Sequence, residues 1–463
     1  MDNVQALFDV QSAHRWTMAQ STTSERKAML LALKKEIISR REEIKAAMYA
    51  DFKKPYAESE LTEIHTSIDE INFAVKKLSK WMKPKKVKTP IALFGSKSFI
   101  QYEAKGVVLI LAPWNYPFSL LINPLVAAIA AGNCVIARPS EKTPHTAKIL
   151  ESVIGNVFSD KIAKVVIGEI DLAEKLLELP FDHIFFTGST QVGKVVMAAA
   201  AKHLTPVTLE LGGKSPVIID RDVNLEDCAE KLFWGKFMNG GQTCVAPDYL
   251  FIPEELKADF IELFKKQIEK RFGETSSERL KTEDFARMVD VKAYDRLANK
   301  IKDEKKLLED GPQSDERFIP PTLLTDVTLN SPVMEDEIFG PILPLLTYKK
   351  LETVIDYIRA HPKPLALYVF SKNKKMIKNV LKSTTSGGAA INHVVLHLAN
   401  PNLPFGGVGH SGMGSYHGEF GFKTFSHERA VLNQGRFTLT SLYFPPYTTA
   451  LSKFAFRVLR WLE

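Results

Sequence analysis

The strongest constraint on the fold is a series of short, continuous apolar runs separated by helical patterns. Residues 106–112 read Gly-Val-Val-Leu-Ile-Leu-Ala, 134–137 Cys-Val-Ile-Ala, 165–167 Val-Val-Ile and 183–186 His-Ile-Phe-Phe. Runs without polar alternation have no face for water, so they suit parallel strands covered on both sides. Helical stretches lie between them, at 120–131, 143–154, 172–179 and 192–201. Strand-helix alternation of this kind predicts a doubly wound α/β lobe. Such lobes bind ligands at the carboxyl ends of their strands.

A second series starts at Val207. Its strands are expected at 207–211, 216–219, 249–252, 342–346, 365–370 and 388–391. Its helices are expected at 225–237, 254–272, 291–304, 351–359 and 372–382. The 463 residues suffice for two such lobes, since a domain takes roughly 100–200. Ahead of the first series the pattern is helical. Thr22 and Glu25 have capping-box spacing, and Met29, Leu30, Leu33, Ile37, Ile44 and Met48 recur near the helical period. The Pro- and Lys-rich stretch 83–95 reads as a connection or an edge hairpin, and the glycine-rich stretch 401–421 as irregular.

Charge and cysteine usage exclude several classes. The net charge of +7 is spread along the chain, whereas a nucleic-acid surface needs a denser basic stripe. The densest run, Lys83-Pro84-Lys85-Lys86-Val87-Lys88, reads as a solvated linker. Cys134, Cys228 and Cys244 are odd in number and show no metal-ligand spacing, which fits a reducing compartment and no metal site. The first residues lack a signal-peptide pattern, and no apolar run approaches the ~20 residues of a membrane-spanning helix. A cytoplasmic protein is therefore expected.

Four segments hold residues suited to chemistry. Phe186-Thr187-Gly188-Ser189-Thr190-Gln191-Val192-Gly193-Lys194 follows an apolar run and opens a helix, where backbone N–H groups meet an anion. It falls short of a P-loop, because Val195 stands where that motif needs a hydroxyl. Gly240-Gly241-Gln242-Thr243-Cys244 places a cysteine behind a flexible pair, where a lowered pKa would make it a nucleophile; a buried, inert thiol is the alternative. Glu210 lies in an apolar strand, which would raise its pKa toward that of a useful base, unless Lys214 neutralises it. Pro113-Trp114-Asn115-Tyr116-Pro117 ends a strand, and the Asn115 amide would donate to an oxyanion if the segment is more than a turn.

Together these segments resemble the aldehyde dehydrogenase family. They occur in order with Arg-Pro-Ser-Glu (138–141) and Glu-Ile-Phe-Gly-Pro (337–341), and residues 405–418 and 244–249 are similar to its class 3 branch. The resemblance implies an α/β fold with a Rossmann-type cofactor lobe (1–81 and 103–209) and a catalytic α/β lobe (210–396). It also implies a bridging, oligomerisation arm (82–102 and 397–430) and leaves a tail at 431–463. It implies Cys244 as nucleophile, Asn115 with the Cys244 N–H as oxyanion hole, and Glu210 as the base for hydrolysis. Glu337 and Phe339 would hold the nicotinamide ribose, and Gly188, Ser189 and Val192 the pyrophosphate and adenine. Arg138 and Glu141 would face the adenosine ribose, Trp114, Thr190, Gln191 and Gly193 would complete the cofactor set, and Tyr116 would line the substrate pocket.

Two departures from the family pattern matter. Arg138 stands where Lys is usual and grips phosphate well, while Glu141 opposes a 2′-phosphate, so NAD is expected to be preferred and NADP accepted. His393 replaces a frequent acid and reads as ordinary packing. In the tail, Leu451, Phe454, Val458 and Leu462 recur at helical spacing beside Lys453, Arg457 and Arg460. This basic amphipathic helix would pack on its own body or a dimer partner, or lie on a membrane surface. The expected partner is a small aldehyde, medium- to long-chain aliphatic or aromatic, with the chain a homodimer. Competing readings are an acylating dehydrogenase, a P-loop hydrolase and a non-catalytic relative; intact Glu210 and the Val195 departure weigh against the first two.

Overall fold

The computed structural model describes residues 2–308, 311–438, 440 and 444–461. Both strand series form large sheets, but Val207–Glu210, expected to open the second series, pairs with His183–Thr187 and belongs to the first sheet. The first sheet has six strands in the spatial order Gly412–Met413, Val207–Glu210, His183–Thr187, Val107–Leu111, Cys134–Arg138, Ala163–Val165. Neighbours are parallel except Gly412–Met413, which runs antiparallel at one edge. Every residue of Val107–Leu111 and Cys134–Arg138 is buried, as a double helical cover requires. The far-edge strand ends at Val165 rather than Ile167: the Val166 N–H still reaches the Ala137 carbonyl at 2.9 Å, but Ile167 turns out to 42% exposure.

The helices over this sheet take caps from elsewhere in the chain. The Thr22–Glu25 capping box forms at helix Thr23–Ser39. Helix Pro144–Val157 has no side-chain cap of its own, and buried Asp51 accepts the His145 and Thr146 N–H groups at 3.0 and 2.9 Å. Helix Ser119–Ala131 is served in the same way by Glu63. A carboxylate at a helix N-terminus satisfies orphan N–H groups and opposes the positive end of the dipole.

The second sheet also has six strands, all parallel, in the order Thr322–Leu324, Ile342–Tyr348, Tyr249–Pro253, Pro216–Ile219, Ala366–Phe370, Gly388–Ile391. Thr322–Leu324 was not anticipated, because three residues carry too little pattern. A third, antiparallel sheet joins Lys85–Val87, Ser96–Ala104 and Ser426–Gln434. The lysine run forms its exposed edge strand, a charged edge that resists further pairing. Pairing extends to Gln434, past the expected start of the tail at 431. The stretch 401–421 is less irregular than expected, since it supplies Gly412–Met413 and begins helix Gly418–Thr424.

The tail helix spans Ala450–Trp461. Among its described side chains, Ser452 and Ala455 are buried, whereas Leu451 and Phe454 are each 62% exposed. The apolar stripe therefore does not pack on its own body at these positions. Leu462 lies outside the described residues. No helix among the described residues is long and apolar enough to cross a membrane.

Candidate active site

The chain crosses from the first sheet to the second over residues 211–215, directly after Glu210. The carboxyl ends of the first sheet and the amino ends of the second therefore share one cleft. Trp114 and Asn115 follow Val107–Leu111, and Gly188 follows His183–Thr187. Cys244 precedes Tyr249–Pro253, and Glu337 precedes Ile342–Tyr348.

The cysteine loop begins where helix Leu225–Phe237 ends. Asn239 and Gly240 turn left-handed at φ 56° and 59°, and Gly241 follows at φ 74°. A Cβ on Gly241 would collide with the Gly340 carbonyl, so only glycine lets this loop close on the 337–341 segment. Gln242 then locks the loop. Its amide donates to the Asn239 and Arg287 carbonyls at 3.1 and 3.0 Å and accepts from the Val289 N–H at 3.1 Å.

Asn115 is buried and donates one amide hydrogen to the Gln242 carbonyl at 3.0 Å. An amide nitrogen carries two hydrogens, so one remains for a ligand. Asn239 in turn donates to the Asn115 and Gln242 carbonyls at 2.9 and 3.2 Å. Tyr116 and Thr243 share a hydroxyl–hydroxyl hydrogen bond of 2.6 Å. The Asn115 turn and the cysteine loop are thus stitched together at three points.

Cys244 is a half-buried free thiol. Burial pushes its pKa up, Glu337 and Glu210 push it further, and the Cys244 and Val245 N–H groups pull the other way. This direction is opposite to the lowered pKa that a flexible glycine turn suggested. Cys134 and Cys228 are buried outright, and burial raises both to about 12.

Glu210 is buried, and neither carboxyl oxygen has a hydrogen-bond partner among the described residues. Burial holds its pKa well above the carboxylate range. Lys214, the neighbour that offered a salt bridge, turns away to Asp248 at 2.5 Å and to the Val333 and Asp336 carbonyls. Glu337 rests its carboxylate against Gly212, where a Cβ would collide with it. Burial, and then Asp248, raises Glu337 to about 8. Phe339, at φ 50°, meets the Trp114 ring edge-on at 5.3 Å.

The remaining residues lie along the carboxyl edge of the first sheet. Ser189 caps helix Thr190–Ala201 by accepting the Val192 N–H at 3.4 Å. Thr190 donates to the His410 carbonyl at 2.9 Å, and Gly193 packs against Leu211. Gln191 is exposed, and Val192 leaves an apolar side chain 48% exposed at this helix end. Arg138 is bound by Glu141 at 2.7 Å and the Gly168 carbonyl at 2.9 Å, with its Nε unpartnered. Phosphate-ready backbone, an uncovered apolar side chain and an incompletely paired guanidinium suit a dinucleotide. The Arg138–Glu141 pair ends the neighbouring strand, away from the group around Cys244.

Sequence reasoning missed Asn239 and Gln242, which hold the loop, although Asn-Gly-Gly is itself a left-handed turn pattern. It also missed Lys54, Glu58 and Glu63, for which no local pattern exists, since their partners are distant in sequence.

Comparison with known proteins adds to this geometry. The model of the aldehyde dehydrogenase family matches residues 2–431. A 4,4'-diaponeurosporen-aldehyde dehydrogenase of Staphylococcus aureus is 44% identical over 93% of this chain and 94% of its own. A mouse relative, the dimeric NADP-preferring aldehyde dehydrogenase, is 44% identical over 87% of this chain and 88% of its own. A solved structure of Staphylococcus aureus AldH in a substrate-bound state superposes with a TM-score of 0.95 at 42% identity, covering 99% of this chain and all of that one.

Proposed function

The chain belongs to the aldehyde dehydrogenase family, in its class 3 branch, and from that premise we propose that its NAD(P)-dependent oxidation of aldehydes runs through a thioester on Cys244. The observation that carries this reading is a half-buried thiol near a buried carboxyl that no described residue engages, on a loop bonded to an asparagine amide with a hydrogen to spare.

The proton of the thiol passes to the ionised form of the Glu210 carboxyl as the S–C bond forms, and Glu210 releases it to solvent before hydrolysis. The carbonyl oxygen takes up the negative charge, which the Asn115 amide and the Cys244 N–H stabilise. When bound, the nicotinamide cofactor supplies the hydride acceptor. Glu337 would hold the nicotinamide ribose beside Phe339, while Gly188, Ser189 and Val192 would cover the pyrophosphate and adenine. Glu210 then takes a proton from water as its oxygen attacks the thioester carbon. The acid leaves, and Cys244 regains its proton. Glu210 suits this role because no described residue engages its oxygens.

The preferred substrate in this proposal is an apolar aldehyde, medium- to long-chain aliphatic or aromatic. The buried rings of Tyr116, Tyr368 and Tyr416, near enough to Cys244 to feel its charge, support it. Mass spectrometry after a rapid quench with aldehyde and NAD is expected to find the acyl group on Cys244. Cys244→Ser is expected to lower turnover by at least about 1000-fold. Turnover that survives the substitution removes the covalent reading, and a product that forms only with added coenzyme A replaces hydrolysis with acyl transfer.

A further inference from the structure

Beneath the two catalytic segments lies a buried charged cluster that the chemistry above does not use. Lys54 and Glu63 have no exposed side-chain surface and pair at 2.6 Å. The other Glu63 oxygen accepts the Phe118 and Ser119 N–H groups at 3.1 and 2.8 Å, where helix Ser119–Ala131 lacks its own cap. The Lys54 ammonium also stands 3.8 Å from the centre of the Tyr116 ring. Glu58 accepts the Asn239 N–H at 2.8 Å.

The backbone is shaped to aim these groups. Helix Tyr56–Ser59 widens into a π-helical turn at Glu60–His65. Residues five apart on a regular α-helix point roughly 140° from each other. The wider turn swings Glu63 toward the side of Glu58, and such turns occur often at functional sites.

Glu63 and Lys54 hold the Trp114–Ser119 turn, and Glu58 holds Asn239, the residue that ties the Asn115 and Gln242 carbonyls together. A helix cap alone does not need a buried lysine, because taking charges out of water is costly unless geometry repays it. We propose that Lys54, Glu58 and Glu63 are positioning residues that set the register between the Asn115 turn and the Cys244 loop, so that both oxyanion donors face one point. This rests on the reading that Cys244 and Asn115 carry the reaction. Donors aimed at a developing charge lose most of their value when displaced by about 1 Å.

Glu58 gives the cleanest test, because glutamine at 58 keeps an acceptor for the Asn239 N–H and alanine does not. In single-turnover NADH formation, Glu58→Ala is expected to slow acylation by about 10- to 100-fold. Its KM for NAD is expected to stay within about twofold, and Glu58→Gln is expected to restore acylation to within about threefold. Folded Glu58→Ala enzyme, matched to wild type by circular dichroism and Tm, that acylates at the wild-type rate overturns the proposal. If alanine at 58 prevents folding, Glu58→Asp carries the test, since it keeps the charge and withdraws the carboxylate by one methylene. Slowed acylation by the aspartate variant supports the proposal, and a wild-type rate overturns it. If Cys244→Ser also keeps its turnover, it is the premise about Cys244 that has failed.

Discussion

The two large sheets meet the cleft with opposite ends. The first presents carboxyl ends, and the segments leaving its strands carry Trp114, Asn115, Arg138, Gly188 and Glu210. The second presents amino ends, and the segments entering its strands carry Gly212, Cys244 and Glu337. The cause is the short crossing at 211–215, which lets one sheet continue into the other without reversing. Helix N-termini gather at carboxyl ends, so the first edge favours anions. Helix C-termini gather at amino ends, and Cys244 follows the C-terminal end of helix Leu225–Phe237. Burial raises the pKa of this thiol, so a base is needed to activate it. In the proposed reading the first edge would hold the charged cofactor, and the second carries the thiol whose pKa burial raises.

The sharpest way to break this contrast is at Glu210, which stands on the seam. Burial raises its pKa above the ordinary carboxylate range, so the basic form gains as pH rises. Thioester hydrolysis in the wild type is therefore expected to climb with pH. Glu210→Gln is expected to slow steady-state turnover on the order of 100-fold, flatten that climb and leave acyl-enzyme to accumulate. Rapid-quench mass spectrometry with NADH traces across pH reads all three. A Gln variant that hydrolyses at wild-type rate, with the climb intact, would assign the base to another group.

How much of this was legible in sequence differs between the lobes in the same way. Continuous apolar runs located most strands of both series, because burial on two faces leaves a local composition, but they did not show that Val207–Glu210 joins the first sheet. The carboxyl-end rule pointed to the first edge, and Asn115, Gly188 and Arg138 lie there. No matching rule points to amino ends, so Cys244 and Glu337 were found by motif. Ser96–Ala104 and Ser426–Gln434 escaped because they are mostly half-buried or exposed and pair with each other across the chain's length. Glu63 escaped for a related reason: its work is at Phe118 and Ser119, in a different part of the sequence.

A smaller effect sharpens the cofactor side. Glu141 holds the Arg138 guanidinium at 2.7 Å, and in the proposed reading its carboxylate would oppose a 2′-phosphate. A partly exposed pair of this kind is worth up to about 1 kcal/mol, or roughly fivefold. Glu141→Gln is expected to raise the ratio of kcat/KM for NADP over NAD by about that factor, with the aldehyde KM unmoved. An unchanged ratio would mean that Arg138 does not face the adenosine ribose.

The smallest effect is expected at Gly193, the glycine where helix Thr190–Ala201 packs on the seam. A Cβ there would lie 2.7 Å from Leu211 Cδ2, the far end of a side chain that can rotate. Gly241 differs, since its obstacle is the Gly340 backbone and its φ is left-handed. Alanine in a helix interior is favoured over glycine by about 1 kcal/mol, which offsets the crowding at Leu211. Gly193→Ala is therefore expected to keep its stability within about 1 kcal/mol by denaturant titration and to shift the KM for NAD by no more than about twofold. A much larger rise in that KM, at unchanged stability, would show that the cofactor edge is as unyielding as the cysteine loop, and the contrast between the two lobes would then lie in charge alone.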